Sequence, residues 1–344
     1  MARIVFADDG IEFDGTTPDK KPLGGVESSV VNLCETLAAR GHEVLVRNKC
    51  AAPIVHNGVD WAPIDRGLPE CADLYIANRG DKLIPLLPKA GRCLFWIHNP
   101  AQYLLKWRYL RKLWARRPVI VFIGEYHATT CPDWVPDGGR RVIPYGTPDE
   151  FRTAEPGQGT PVPRAVFTSN PLRSLDWILE RWERDIQPKV PGAELHVFAG
   201  AATYGAVGDA KAEAMKRVLD QAEALRDRGV VLRGPVPKSQ LVAEFRQARC
   251  MLYRGDLNET YCLAVGEAQA MGVPAVVQDL GSMGERVRHG ETGTVAQGDI
   301  DFSAAAVALL SDESHWQSQH DTALSLQRSW TWTDAAEAFE EYLP

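Results

Sequence analysis

The chain begins with a short apolar run, "RIVFA", followed by a polar loop to Leu23. In "GGVESSVVNLCETLAARGHEVLV" the period changes: Val30, Leu33, Cys34, Leu37 and Ala38 recur three and four residues apart and share one helical face. Gly41 stops that helix, and "HEVLV" alternates as a strand does. This is a βαβ unit. The runs "DLYIAN", "RCLFWIH", "VIVFIG" and "RVIPYG" each end in polar residues or glycine, the signature of buried parallel strands. The Pro- and Gly-rich segment "RTAEPGQGTPVPR" breaks the pattern. Residues 151–163 are therefore expected to link a first domain, 1–150, to a second, 164–330.

The second domain repeats the grammar. Strands are expected at "AVFTS", "ELHVFAG", "VVLRGPV", "RCMLYRG" and "VPAVVQD", with helices between them at "SLDWILERWERDI", "GDAKAEAMKRVLDQAEALRDRG" and "KSQLVAEFRQA". The closing run "WTWTDAAEAFEEYLP" reads as a helix, about 331–344, that folds back onto the first domain. Such alternation predicts an α/β fold of two tandem Rossmann-like domains, each a doubly wound parallel sheet. Their strands' carboxyl ends are expected to face a central cleft, where open α/β sheets bind ligands.

Composition narrows the function. With 344 residues, 45% hydrophobic and 24% charged, the chain can build two ordinary cores. Its net charge of -7 argues against a general nucleic-acid binder. The seven cysteines are scattered and never spaced as C-x-x-C, so neither zinc nor a disulfide framework is expected. "MARIVFADDG" enters a strand without a signal-like apolar region, and no run approaches membrane-spanning length. The expected location is the cytoplasm, and any contact with a membrane would be peripheral, from the surface.

In "NETYCLAVGEAQAMGVPAVV" Glu267 lies within an apolar helix, with Leu263 and Met271 four residues away. Its charge needs a partner. Either Arg249 or Arg254 supplies one, or a ligand presents two hydroxyls, as ribose does. Glu259 precedes the helix start, where the N–H groups of Thr260, Tyr261 and Cys262 make an anion site or simply an N-terminal cap. Gly24 and Gly25, before the first helix, would let a sugar phosphate approach the backbone or merely form a tight turn. No G-x-G-x-x-G follows the first strand, which disfavours a dinucleotide dehydrogenase. His98 ends a strand and is either a sugar-hydroxyl contact or a structural histidine. Glu125 also follows a strand and could orient an acceptor hydroxyl. The stretch "YLLKWRYLRKLWARR" puts Tyr103, Trp107, Leu110 and Trp114 on one stripe, amid Lys106, Arg108, Arg111, Lys112, Arg116 and Arg117. It suits an anionic membrane or a phosphate-bearing acceptor; the alternative is a core stripe beneath a solvated charged face. Asp299 and Asp301 form an Asp-x-Asp that reads as a loop.

The E-x7-E of Glu259 and Glu267, followed by "GEAQAMGVPAVVQDLGSMGERVRHGETG", resembles the donor-binding motif of glycosyltransferase family 4. The resemblance extends over "LGGVE", "VIPYGTPDEF" and "GPVPKSQLVAEFRQARCMLY". It implies a GT-B fold and metal-independent, retaining transfer from a UDP- or GDP-sugar, with no cofactor, to a carbohydrate, small-molecule or lipid-linked acceptor. On that reading Glu259 contacts the donor sugar, Glu267 the ribose, and Thr260 to Cys262 face sugar and diphosphate. His98 corresponds to a histidine near the sugar. The family places an Arg and a Lys at the diphosphate; here Arg173 holds the Lys position and Thr168 the Arg position. The alternatives are a nucleotide-sugar epimerase of the same shape and a catalytically weak nucleotide- or glycan-binding relative, which the Thr168 substitution favours.

Overall fold

Strands whose residues are apolar on both faces can be buried only in a sheet covered on both sides, and the parallel strand with crossover helix supplies that arrangement. The computed structural model describes residues 1–20, 23–200 and 211–344. These divide into one unit of Met1–Gly146 with Thr331–Pro344, and a second of Thr147–Trp330.

The first unit contains β1 (Arg3–Asp8), β2 (Glu43–Asn48), β3 (Ile54–His56), β4 (Val59–Pro63), β5 (Leu74–Asn78), β6 (Arg92–Trp96), β7 (Val119–Phe122) and β8 (Arg140–Val142). They form one sheet in the order β3-β4-β2-β1-β5-β6-β7-β8. Neighbours are parallel except β3 and β4, which make an antiparallel hairpin at the edge. Its turn is Asn57-Gly58, with φ of 45° and 79°. Two successive positive φ angles define the tight turn that matches strand twist, and Asn-Gly adopts them readily. The closing helix Trp332–Glu340 begins in a capping box between Thr331 and Asp334. It belongs to this unit: Phe339 packs edge-on against Trp96 with centroids 5.4 Å apart, and Glu340 pairs with Arg40 at 2.6 Å.

The second unit contains β9 (Arg164–Phe167), β10 (Glu194–Val197), β11 (Val230–Leu232), β12 (Cys250–Leu252), β13 (Ala275–Gln278) and β14 (Gly293–Ala296). All pairs in the order β11-β10-β9-β12-β13-β14 are parallel. The strand order reverses at β9 here and at β1 in the first unit. Crossovers leave in opposite directions at such a point, and the carboxyl ends of the strands flanking it form a crevice.

Three expectations change. The segment expected as a linker is part of the second unit, because Phe151, on the short helix Asp149–Arg152, is fully buried in that unit's core beside Phe245. Asp299 and Asp301 are not in a loop; they occupy the first turn of the helix Asp299–Ser311, where carboxylates favour the positive helix end, and Asp299 pairs with Arg181 at 3.0 Å. The helix expected from Gly208 is described only as Ala212–Ala224, its start lying outside the described residues together with Lys21 and Pro22 of the first loop.

Gly293 sits in β14 at φ 151°, paired with Ala275, and a Cβ there would lie 2.1 Å from the Ala275 carbonyl oxygen. Gly293→Ala is expected to destabilise the second unit by about 3 kcal/mol. Urea denaturation followed by tryptophan fluorescence would show a lowered midpoint; an unchanged midpoint would mean that the strand accommodates the methyl group.

Candidate functional site

In the first unit the polar residues gather where apolar strands end. Asp8 closes β1 and Asn78 closes β5, and parallel register sets them side by side. Asn78 Nδ2 donates to Asp8 Oδ2 at 2.5 Å, which turns its Oδ1 towards His98 Nε2, also at 2.5 Å. His98 Nε2 therefore carries the proton, and Nδ1 accepts from the Tyr145 hydroxyl at 2.5 Å. Burial, with the positive charge of Arg79, pushes His98 well below the usual histidine range. A neutral His98 with both nitrogens held by protein groups is a positioned element of the network, and a sugar hydroxyl reaching it would have to replace Tyr145 or Asn78.

Arg79 stands at φ 53°, in the left-handed region that non-glycine residues rarely adopt. That turn sends its guanidinium to two buried carboxylates, Asp8 at 3.1 Å and Glu27 at 2.9 Å. Burial opposes the charge, but Asp8 and Glu27 outweigh it and hold the guanidinium above its ordinary value. Gly24 is the N-cap of the helix Gly25–Ala39, and a Cβ on Gly24 would lie 2.6 Å from Glu27 Oε2. The glycine thus gives room to a carboxylate at the positive end of the helix. The Gly24–Gly25 turn, expected to admit a sugar phosphate, already faces Glu27 and its Arg79 partner.

His127 orients the neighbouring loop: its Nδ1 accepts from Ile123 N at 3.2 Å and its Nε2 faces the Asn99 carbonyl at 2.9 Å. Glu125 lies at the exposed start of the same short helix, Glu125–Thr129.

The basic stretch does not form the continuous stripe expected. Tyr103 belongs to a separate short 3-10 turn, Ala101–Leu105, and the helix starts afresh at Trp107–Arg116. Its buried residues are Tyr109 and Leu113, whereas Trp107 and Trp114 are 76% and 72% exposed. Arg108 and Lys112 both approach Asp81, at 3.6 and 2.5 Å, and Arg111 is exposed.

In the second unit the site forms beyond β9 and β12, at the point where strand order reverses. Asn170 shapes the turn after β9, accepting from Leu172 N with its side chain at 2.9 Å and from Arg173 N with its carbonyl at 2.8 Å. Ser174 follows at φ 61° and starts the helix Leu175–Arg181. Arg173 points at two carboxylates, Asp256 at 3.1 Å and Glu259 at 3.9 Å. Burial works against its charge, and Glu259, helped by Tyr253 and Asp256, keeps the guanidinium above its ordinary value.

Glu259 is held at several points. Its Oε2 accepts from the Tyr253 hydroxyl at 2.8 Å and its Oε1 from Cys262 N at 3.2 Å. The helix proper is Leu263–Ala270, and Cys262 caps it in a left-handed conformation, φ 61°. The Cys262 N–H, expected to face an anionic ligand, is therefore occupied by the Glu259 carboxylate. Thr260 and Tyr261 are buried beside it, and Arg286 lies over the Tyr261 ring, 4.3 Å from its centroid. Burial, with the Glu259 charge, pushes the Cys262 thiol far up, so it stays protonated.

Glu267, 6% exposed, pairs with neither Arg249 nor Arg254. Arg249 is committed to the carbonyls of Pro161 and Leu310, and Arg254 to Gln278 and the face of Trp177. Its partner is Lys238, the first residue of the helix Lys238–Phe245, whose Nζ is 2.6 Å from Oε1. Oε2 has no hydrogen bond among the described residues. Thr168 has a buried hydroxyl with no hydrogen-bond partner among the described residues.

Sequence reasoning missed Lys238, Asp256 and the Asp8–Asn78–Arg79 cluster. For the cluster a signal was available: each residue is the polar end of an apolar strand run. No group of three or more His, Cys, Asp or Glu side chains among the described residues is placed to hold a metal ion. No helix among them is long and apolar enough to cross a membrane.

The family model of "Glycosyl transferases group 1" matches residues 163–312. Among curated relatives, the chain is 28% identical over 189 residues to the D-inositol 3-phosphate glycosyltransferase of Nocardia farcinica, covering 53% of this chain and 40% of that protein. It is 33% identical over 108 residues to the enzyme of the same name from Corynebacterium diphtheriae, covering 31% and 25%. The matched segments span less than half the length of these relatives. The fold is shared with the sucrose-phosphate synthase of Thermosynechococcus elongatus, at TM-score 0.74, 15% identity and coverage of 99% of this chain and 98% of that one. It is also shared with HepE of Anabaena, solved with UDP and glucose, at TM-score 0.67, 14% identity and 99% coverage of both chains. The family match thus falls within the second unit, and the two Rossmann-like units share the GT-B type of fold with these solved structures.

Burial lowers His127 to about 4, below the unfolded value near 6.5. The folded state thus takes up this proton at a lower pH than the unfolded state. Its contribution is complete above about pH 6.5 and is lost as pH falls towards 4, a change of about 3 kcal/mol. Urea midpoints measured from about pH 7.5 to about 4.5 should fall, and less steeply in His127→Gln; equal slopes would place the sensitivity elsewhere.

Proposed function

We propose that the protein transfers a sugar from a nucleotide diphosphate donor, UDP- or GDP-linked, to a carbohydrate or lipid-linked acceptor, retaining anomeric configuration and using no metal ion. The observation that carries this reading is the paired setting of Glu259, in the loop before the helix Leu263–Ala270, and Glu267 on that helix, with Arg173 beside the first and Lys238 beside the second.

In this reading Glu267 accepts hydrogen bonds from the ribose hydroxyls, and Oε2 offers the first of them a site without breaking the Lys238 pair. Arg173 stabilises the negative charge that grows on the departing diphosphate. A preorganised cation contributes most there because the charge develops only in the transition state. Tyr253 and Cys262 N hold Glu259 in one orientation towards the donor sugar. The network of Asp8, Asn78, His98 and Tyr145 gives the first unit a rigid polar floor for sugar hydroxyls. The Nocardia and Corynebacterium relatives carry names that describe sugar transfer to an inositol phosphate, and the HepE structure holds UDP and glucose. Both support this class of reaction.

The second reading, a nucleotide- or glycan-binding relative with weak turnover, is favoured by Thr168, where a neutral hydroxyl takes the place of a cation. Donor turnover separates the two. A panel of nucleotide sugars followed by mass spectrometry should reveal released nucleotide and a transferred sugar, and proton NMR should find the donor's anomeric configuration kept in the product. Nucleotide binding without turnover across the panel would leave the second reading.

Glu267→Ala is expected to weaken UDP or GDP binding roughly 10- to 100-fold, the value of hydrogen bonds to a charged group; wild-type affinity by calorimetry would remove the ribose role. Arg173→Ala should lower kcat roughly 100- to 1000-fold with a smaller change in nucleoside affinity. EDTA should leave the rate unchanged, and a loss restored by a divalent ion would overturn the metal-free mechanism.

A further inference from the structure

The helix Trp107–Arg116 faces outward with the side that a core helix would hide. At about 100° per residue, Trp107, Arg111 and Trp114 project within about 60° of one another, while Tyr109 and Leu113 point the opposite way into the unit's core. The exposed centre is thus two indole rings with a guanidinium between them. Around it the charge is of one sign: from Lys106 to Arg117 the chain carries six cations and no carboxylate. The nearby Asp81 pairs with Lys112 and lies 3.6 Å from Arg108. Lys106, Arg111 and Arg117 are exposed and have no ion pair among the described residues. Leu86, 41% exposed, adjoins the Leu87 carbonyl to which Arg116 donates at 3.1 Å, so a further apolar side chain lies at the helix's carboxyl end.

Two facts argue against an ordinary solvated face. Each tryptophan leaves most of a large apolar ring in water, and the basic residues concentrate here although the chain as a whole carries -7. Indole rings settle at the level of lipid headgroups, with the apolar body in the acyl boundary and the N–H in water. Arg and Lys around them are attracted to anionic headgroups. A globular partner would need a concave surface for two rings about two helical turns apart, whereas a bilayer interface adapts to them.

We propose that this face docks the first unit on an anionic lipid surface, with Trp107 and Trp114 inserted at headgroup depth and Lys106, Arg111 and Arg117 on the lipid charges. The proposal is independent of the donor chemistry, since it concerns only this helix, and its test needs no nucleotide. The full chain is mixed with vesicles of phosphatidylcholine containing about one third phosphatidylglycerol, and separately with vesicles of phosphatidylcholine alone, and flotation is measured at low and high salt. Binding is expected to the anionic vesicles, weakening as salt rises, with little binding to the neutral ones. Trp107→Ala with Trp114→Ala, and separately Lys106→Glu with Arg111→Glu, should each reduce partitioning about tenfold or more. Both pairs are on the surface, so thermal unfolding midpoints should match the wild type and exclude misfolding as the cause. No flotation, equal binding to both vesicle types, or variants that bind like the wild type would overturn the proposal. So would a concentration-dependent dimer abolished by Trp107→Ala with Trp114→Ala, which would make a second copy the occupant.

Discussion

The second unit's site depends on one carboxylate. Glu259 is fixed through its backbone, its N–H donating to the Asp256 carbonyl at 2.8 Å and its carbonyl accepting from Ser282 N at 2.9 Å. It is fixed again through its side chain by Tyr253, at the end of β12, and by the first turn of the following helix. A loop, a strand end and a helix start are thereby held at one group. Gly281 makes the close approach feasible: at φ 65°, a Cβ would lie 2.6 Å from the Glu259 carbonyl and 2.3 Å from that of Asp256. Arg173 gains its electrostatic setting from the same carboxylate. Loss of Glu259 would thus alter helix capping, loop position and a cation's environment together, and changes at this residue do not separate into structural and chemical parts.

Much of the fold was legible because buried parallel strands and amphipathic helices leave strong periodic traces. The runs at "DLYIAN" and "RCLFWIH" became β5 and β6 because each can be buried only between covered faces. The β3–β4 hairpin was not foreseen, although Asn57-Gly58 announces it; the short strands beside it carry too little apolar pattern to draw attention. The place of Phe151 was hidden for a different reason. Pro and Gly nearby suggest a linker, yet one aromatic side chain with a cavity to fill outweighs local composition.

Site residues were legible where chemistry is written in spacing and opaque where it depends on approach from distant sequence. The eight-residue interval between Glu259 and Glu267 can be read along the chain. That Lys238, 29 residues earlier, would supply the counterion cannot, because it depends on how two helices meet. In the same way, the stripe drawn through Tyr103, Trp107, Leu110 and Trp114 assumed one unbroken helix. The backbone at Lys106, extended at ψ 134°, resets the helical phase and turns the tryptophans outward.

The closing helix has a consequence for how the molecule is made. Residues Thr331–Pro344 complete the first unit, where Phe339 covers Trp96 and Glu340 joins Arg40 and His42. During synthesis the first 146 residues leave the ribosome early, yet the surface around Trp96 waits uncovered until the whole of the second unit has followed. Domains generally fold as they emerge. Of the two units, the one made earlier is completed later, and the apolar surface around Trp96 lacks its cover in the interval.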